Sequence, residues 1–312
     1  MDFLSVLSLG QSALELGLIG SLTVLALFLS YSMLGVCDLS TDGCFTLGAS
    51  VGAAVALAGH PWLAIPAAML SGVASGFITA ILQTKLGVDS LLAGIVVNTA
   101  LYSVNIAVMG GASLLNLNKA DTVFSMFKAL LAGTFLENYY KLILAAAFAA
   151  AVAVLLVLFL RTRLGLAIRA TGSNKAMVSS SSVSPGKMTI IGLCVSGSIT
   201  ALAGCLLGEM QKSVNVDIGS GMVTVALASL LIGSSFTSKH RIAARALGAI
   251  IGSVIFRLVY TAALSFNMPA FLLKFVSAVI VVAAISGPYI KKHYPEFRRR
   301  MSQKRKAGER NA

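Results

Sequence analysis

Asn98, Tyr102 and Asn105 stand at i, i+4 and i+7 inside an otherwise apolar stretch, so a helix there carries all three on one face. In hydrocarbon a polar side chain either hydrogen-bonds a neighbouring helix or lines a route for a polar solute, because leaving it unsatisfied is costly. Two aspartates pose the same choice. Asp38 lies in the break Cys37-Asp-Leu-Ser-Thr-Asp-Gly43 and Asp217 in the break Val216-Asp-Ile-Gly-Ser-Gly221, each ahead of a short apolar run. They are either caps for the helices that follow or part of a path, and Asp38, Asn98, Tyr102, Asn105 and Asp217 are the candidate lining of that path. Bond-making chemistry is not on offer. The chain has no GxxxxGK[ST], HExxH or GxSxG stretch. Its four cysteines, Cys37, Cys44, Cys194 and Cys205, form no CxxC pair, and its three histidines are scattered singly, so disulfide and metal readings fail on spacing. The expectation is a protein that is not an enzyme and has no catalytic, cofactor or metal site of its own.

The elements that position these residues follow from composition. Of 312 residues 57% are apolar and only 11% charged, against about 25% charged in a soluble domain. At about 20 residues per span, eight or nine spans consume nearly the whole apolar inventory. The fold class is all-α, a polytopic transmembrane helix bundle of about nine membrane segments: residues 11–35, 43–59, 62–83, 90–109, 139–160, 187–210, 222–236, 241–264 and 269–290. The transmembrane domain is 1–290, with a long polar loop at 161–186, and 291–312 is a basic tail.

The net charge of +13 would suggest a nucleic-acid surface in a soluble chain. Here no Lys or Arg precedes Lys85, and later basic residues come in clusters between apolar runs, the pattern of positive cytoplasmic loops. Nucleic acid is therefore not an expected partner, whereas contact of the basic tail with anionic lipid is. The start lacks a basic n-region and carries Asp2, unlike a secretory signal. With the basic tail placed in the cytoplasm, alternation puts loops 84–89, 161–186 and 237–240 inside and 110–138, 211–221 and 265–268 outside. The inside set, with its helix-end residues and the tail, then holds 18 of the 24 basic residues. The N-terminus is expected outside and the C-terminus in the cytoplasm of a cell carrying this chain in its cytoplasmic membrane.

In that topology Arg257, 16 residues past Arg241, rises about 24 Å from the inner face. Glu209 ends an outward span, and Lys274 lies five residues into an inward one, so the three should share a depth. Charges in lipid pair or line water, which predicts an outer ionic cluster of Glu209, Arg257 and Lys274. The alternative is that Arg257 and Lys274 reach headgroups independently.

Small residues four apart, Gly48/Gly52, Gly72/Gly76, Gly204/Gly208 and Gly248/Gly252, recur in four segments and predict close helix packing. The runs after Asp38 and Asp217 are short and lie in opposite halves with opposite direction, which points to an inverted repeat with two interrupted segments.

The longest inside loop runs from Arg161 to Pro185. It carries a helix-like stretch, Leu164 to Ala170, a stop at Gly172, and Ser173 and Asn174 as caps for a second short helix. Leu164, Leu166, Ile168 and Met177 would be needless in a loop that only fixes topology, so this loop reads as a rigid lever for a partner.

The sequence Leu164-Gly-Leu-Ala-Ile-Arg-Ala-Thr-Gly-Ser-Asn resembles the coupling loop of permease subunits of ABC importers in the branched-chain amino acid and ribose permease superfamily. Gly35-Val-Cys-Asp-Leu-Ser with Leu47-Gly-Ala resembles its early Asp-Leu-Ser element. Leu91-Leu-Ala-Gly-Ile, the stretch Ala100 to Gly110, Gly219-Ser-Gly-Met-Val and Leu227 to Gly233 resemble the tryptophan/tyrosine-type branch. The similarity spans about residues 10–290. It implies a permease that dimerises with a second permease copy, identical or related, docks a cytosolic ABC ATPase that holds the ATP-Mg, and receives solute from an extracytoplasmic solute-binding protein. It further implies Gly165, Arg169, Thr171, Gly172 and Asn174 as ATPase-coupling residues, with amino acids favoured over sugars or nucleosides as cargo. Ser179 to Ser182 depart from the family's more helix-favouring run, and serine competes for backbone hydrogen bonds, so a short second coupling helix is expected. An ion-coupled secondary transporter is the rival from another class, sustained by Glu15, Glu209 and Arg257 and opposed by the lever loop.

Overall fold

The computed structural model describes residues 3–131, 133, 135–237, 241–264, 275–282 and 286. Helix α1 (Phe3–Leu27) passes into a π-helical turn (Phe28–Met33), and an irregular break over 34–40 leads to the short α2 (Thr41–Leu57). Helices α3 (Pro61–Thr84) and α4 (Ser90–Val108) follow. The segment expected as an outside loop contains a three-residue strand β1 (Leu114–Asn116) and an amphipathic helix α5 (Val123–Leu130) before α6 (Tyr140–Arg161). Then come α7 (Arg163–Ser173), α8 (Lys175–Ser180), the long α9 (Pro185–Gln211), β2 (Ser213–Asn215), the short α10 (Met222–Phe236) and α11 (Ile242–Leu264). A further helical stretch covers 275–282.

Helix starts have identifiable causes. Pro61 and Pro185 sit at first helical positions, where no N–H is needed. The Asp89 carboxylate accepts from the Leu91 N–H at 2.9 Å, and Thr122 and Ser125 form a capping box on α5.

Among the described residues six helices are long and apolar enough to cross a membrane: α1 with its π turn, α3, α4, α6, α9 and α11; α2 and α10 are the two shorter apolar helices. Eight of the nine expected segments thus correspond to helices. The ninth, 269–290, lies mostly outside the described residues, as do Lys274 and the basic tail 291–312.

The core sits on α1 and α9. In their apolar windows 78% and 72% of residues are buried, against 28–33% in the other long spans. Small residues make this possible. A Cβ on Gly48 of α2 would run into the Ala201 carbonyl of α9, one on Gly72 of α3 into the Gly197 carbonyl, and one on Gly252 of α11 into the Ser229 carbonyl of α10. Backbone-to-backbone contact replaces the hydrophobic drive that is missing between helices in lipid.

The two halves exchange partners. α2 and α3 pack on α9 and on each other, while α10 and α11 pack on α1 and on each other. Replacing α1, α2, α3 by α9, α10, α11 reproduces the same set of contacts, the arrangement an inverted repeat requires.

One end of the bundle gathers the end of the π turn, the end of α3, the 161–184 loop and the start of α11. There a Cβ on Gly172 would meet the Met33 carbonyl, Thr84 lies beside Gly186, and Arg245 donates to the Ser32 hydroxyl. The opposite end holds the antiparallel β1–β2 pair, with Leu115 opposite Val214, and the bond from Gln11 Nε2 to the Asn138 carbonyl at 3.2 Å. The described loops 84–89, 110–138, 161–186 and 211–221 therefore sort into two sets, one at each end of the bundle.

Candidate solute path and coupling loop

Short helices α2 and α10 begin close together inside the bundle, and the gap beside their first turns is polar. Asp42, in the first turn of α2, accepts the Gly221 N–H at 2.9 Å and the Val223 N–H at 2.8 Å, which are end groups of α10. Thr46 of α2 accepts the Gly219 N–H at 3.2 Å. These two side chains supply caps that Gly221, the N-cap of α10 with φ 84°, has no side chain to supply.

Against this junction lies a cavity of about 420 Å³, lined by Asp42 and Thr46 of α2, Asn98, Tyr102 and Asn105 of α4, and Asp217 and Ser220 of the break before α10. Four of the five residues predicted to line a path thus meet in one cavity. Asn105 is buried and divided in its use: its Nδ2 donates to the Gly43 carbonyl at 3.2 Å, whereas its buried Oδ1 has no protein partner. Asp38 is the exception. Its buried carboxylate turns back onto the Ser40 N–H at 2.9 Å and Ser40 hydroxyl at 2.6 Å, so it shapes the 34–40 break and does not face the cavity. Asp42, Thr46 and Ser220 were not singled out as lining residues. A carboxylate in a helix's first turn ordinarily reads as serving its own helix, and nothing local shows that Asp42 serves a helix 180 residues on.

Among the described residues Glu209 and Arg257 have separate partners, and Lys274, the third member of the expected outer cluster, lies outside them. Glu209, 1% exposed, accepts the Val123 N–H at 3.0 Å and the Cys205 thiol at 3.7 Å. Val123 opens α5, so the carboxylate is drawn to an unpaired helix N-terminus within the same outer layer. Arg257 faces a different cavity, beside Tyr260.

At the other end α7 and α8 make up the loop expected to act as a lever. Thr162 and Asn174 cap the two helices through the Gly165 N–H (3.2 Å) and Met177 N–H (3.1 Å). Ile168 and Val178 are buried in the bundle, while Leu164, Leu166 and Met177 are 47%, 53% and 68% exposed. Gly165 packs on Phe159 and Leu160 so closely that a Cβ would clash with backbone, and Thr171 is buried with its hydroxyl on the Ala167 carbonyl at 2.8 Å. Arg169 lines a surface cavity with Arg161 and Arg241. α8 ends at Ser180 after six residues, and the Ser179, Ser180 and Ser181 hydroxyls bond back to carbonyls one turn earlier, the competition that limits serine in helices. Gly172 touches the lower edge of the 34–40 break: it packs on Met33 and Leu34, and its carbonyl lies 3.4 Å from where a Gly35 Cβ would be.

A two-halved helical bundle with a polar cavity between interrupted segments, and a two-helix lever at one end, describes a multi-pass membrane transport component. The chain belongs to the family of branched-chain amino acid transport system permease components, which it matches over residues 11–285. It is 32% identical over 276 residues to a tyrosine transport system permease protein of Clostridioides difficile, covering 88% of this chain and 90% of that one. It is 30% identical over 223 residues to an uncharacterized protein of Rickettsia prowazekii, covering 71% and 75% of the two chains. A ribose import permease of Haemophilus influenzae is 24% identical over 251 residues, covering 80% and 75%. No solved structure matches the chain. As a permease-family member the protein is a transport component and not an enzyme.

Proposed function

We propose that this chain is the membrane subunit of an ATP-binding-cassette importer that brings a small organic solute, an amino acid with an aromatic one favoured, into the cell. One observation carries the reading: the lever loop touches, through Gly172, the same 34–40 break that leads into Asp42 and the polar cavity. Force applied to α7 by an ATPase reaches that junction through packed backbone, with no flexible side chain between. The exposed Leu164, Leu166 and Met177 are the surface for that ATPase, with Arg169 as a charged contact. The basic end of the bundle faces the cytoplasm. The β1–β2 pair and α5 face outward, where a solute-binding protein delivers cargo, and a second copy of the chain completes the importer. Amino-acid cargo is favoured over sugar by the extent of identity to the tyrosine permease relative to the ribose permease.

The test is uptake of radiolabelled tyrosine and ribose by cells that express this chain with its ATPase and binding protein. Vanadate-sensitive tyrosine uptake is the expected result. Uptake that resists vanadate and follows an ion gradient would instead identify a secondary transporter, and ribose uptake alone would move the cargo to sugars.

A further inference from the structure

Arg257 lies 15 residues along α11, about 22 Å from its start, and among the described residues it is a cation without a counter-charge. No Asp or Glu occurs between Asp217 and Glu296, so α10 and α11 cannot supply one. The carboxylates on packed elements are engaged elsewhere: Asp42 by the α10 amides, Glu15 by Gln11 Nε2 at 3.0 Å, Glu209 by Val123. The Nε of Arg257 is buried with no acceptor among the described residues, and the guanidinium carbon stands 5.9 Å from the centroid of the Tyr260 ring. On one side α1 closes the space, since a Cβ on Gly17 would stand 3.5 Å from the Arg257 Cβ. On the other side the residue lines a cavity of about 440 Å³ shared with Tyr260 and with Ser220, Thr224 and Ser277.

Ser220 also lines the cavity that holds Asp217 and the α4 amides. The break before α10 is therefore bordered by a carboxylate-and-amide cavity and by a cavity whose one charged side chain among the described residues is a guanidinium. An arginine at this depth is retained where it meets water or an anion, and its planar fork matches a carboxylate in bidentate fashion.

We propose that the Arg257 cavity is a carboxylate subsite for the transported solute. Arg257 takes the α-carboxylate of an amino acid in passage, Ser220, Thr224 and Ser277 offer hydroxyls around it, and the ammonium end points across Ser220 toward Asp217. This subsite rests on the amino-acid reading above.

Two measurements test it. In the first, phenylglyoxal labelling of Arg257 in the purified full chain in nanodiscs is followed by peptide mass spectrometry in the presence of L-tyrosine, tyramine or ribose at constant chloride. Tyrosine should slow labelling of Arg257 severalfold, and tyramine, which lacks only the carboxylate, should not. Equal protection by tyrosine and tyramine, or none by tyrosine, overturns the subsite. This arm needs no variant, so it stands even where a substitution prevents folding. In the second, the complete importer takes up radiolabelled tyrosine. Arg257→Gln should lose about tenfold to a hundredfold, the scale of a lost charged hydrogen bond, and Arg257→Lys should recover part of it. Wild-type rates for Arg257→Gln sink the subsite and leave the amino-acid reading intact. Failure of the wild-type importer to move any amino acid sinks that reading first, and the subsite with it.

Discussion

The Asp42 carboxylate accepts the backbone N–H of Val223 at 2.8 Å, joining the first turn of one interrupted segment to the first turn of the other. Its second oxygen holds the Gly221 N–H at 2.9 Å. A capping side chain normally sits at the N-cap of its own helix. Here the cap belongs to the opposite half, so α10 keeps a satisfied N-terminus only while the halves stay in register.

Replacing Asp42 tests that dependence. Asp42→Ala leaves two amides near a cavity without their acceptor and should cost about 1–3 kcal/mol, the scale of a lost cap or an unsatisfied buried donor. Asp42→Asn keeps one acceptor oxygen and should fall between. The measurement is the thermal unfolding midpoint of the purified chain in detergent, with uptake alongside. An unchanged midpoint for Asp42→Ala would show that water serves the α10 terminus as well as the carboxylate does.

Gly172 sits where a Cβ would strike the Met33 carbonyl and the Leu34 backbone. Gly172→Val should push α7 off the π turn, and it should reduce uptake more than it reduces membrane abundance, because the spans themselves are untouched. Equal loss of both on membrane immunoblots and uptake assays would make the contact structural only.

How far this was legible beforehand depends on the range over which each interaction acts. The run 90–109 corresponds to α4 at Ser90–Val108, and the run 187–210 to α9 at Pro185–Gln211, because apolar length and proline or aspartate caps are local signals. The shared face of Asn98, Tyr102 and Asn105 was legible for the same reason: helical period alone puts them together. The Asp42 to Val223 bond joins positions 181 residues apart, and no local pattern encodes it. Equal depth was the only basis for grouping Glu209 with Arg257, and depth does not specify which side of the bundle a residue faces. Helix α5 was missed because eight residues are too few to register as a membrane span, although the stretch is amphipathic and Thr122 followed by Ser125 is a readable cap.

Arg169 shares its cavity with Arg161 and Arg241 on the lever side. Arg169→Glu reverses a contact proposed to face the ATPase, and should uncouple ATP hydrolysis from uptake while the chain still inserts. ATPase turnover of the reconstituted importer, with and without the loaded binding protein, checks this. Substrate-stimulated hydrolysis at the wild-type level together with normal uptake would remove Arg169 from coupling.

The proposed orientation has its own check. Reporter fusions after Leu9 and after Arg310 should report an outside N-terminus and a cytoplasmic C-terminus, since the reverse would put most of the 24 basic residues outside. A cytoplasmic signal after Leu9 would show that one of the two short helices fails to cross.

Glu209 supplies the last test, because its geometry reverses the prediction drawn from depth. Its carboxylate holds the Val123 N–H at 3.0 Å and so ties α5 to the end of α9. α5 lays Phe124 into the core, 2% exposed, and leaves Leu130 77% exposed on the proposed outer face. Glu209→Ala should cost about 1–3 kcal/mol, the desolvation penalty of an amide left unpaired, and should fray α5. Hydrogen exchange of the 123–130 amides should then rise while that of α9 stays protected. A coupled Glu209–Arg257 pair would make the double mutant no worse than either single one. Separate partners predict instead that the unfolding free energies of Glu209→Ala and Arg257→Gln add to within about 0.5 kcal/mol. A double-mutant cycle on the purified chain decides between them, and strong coupling in that cycle would restore the outer ionic pair that the separate partners of the two residues argue against.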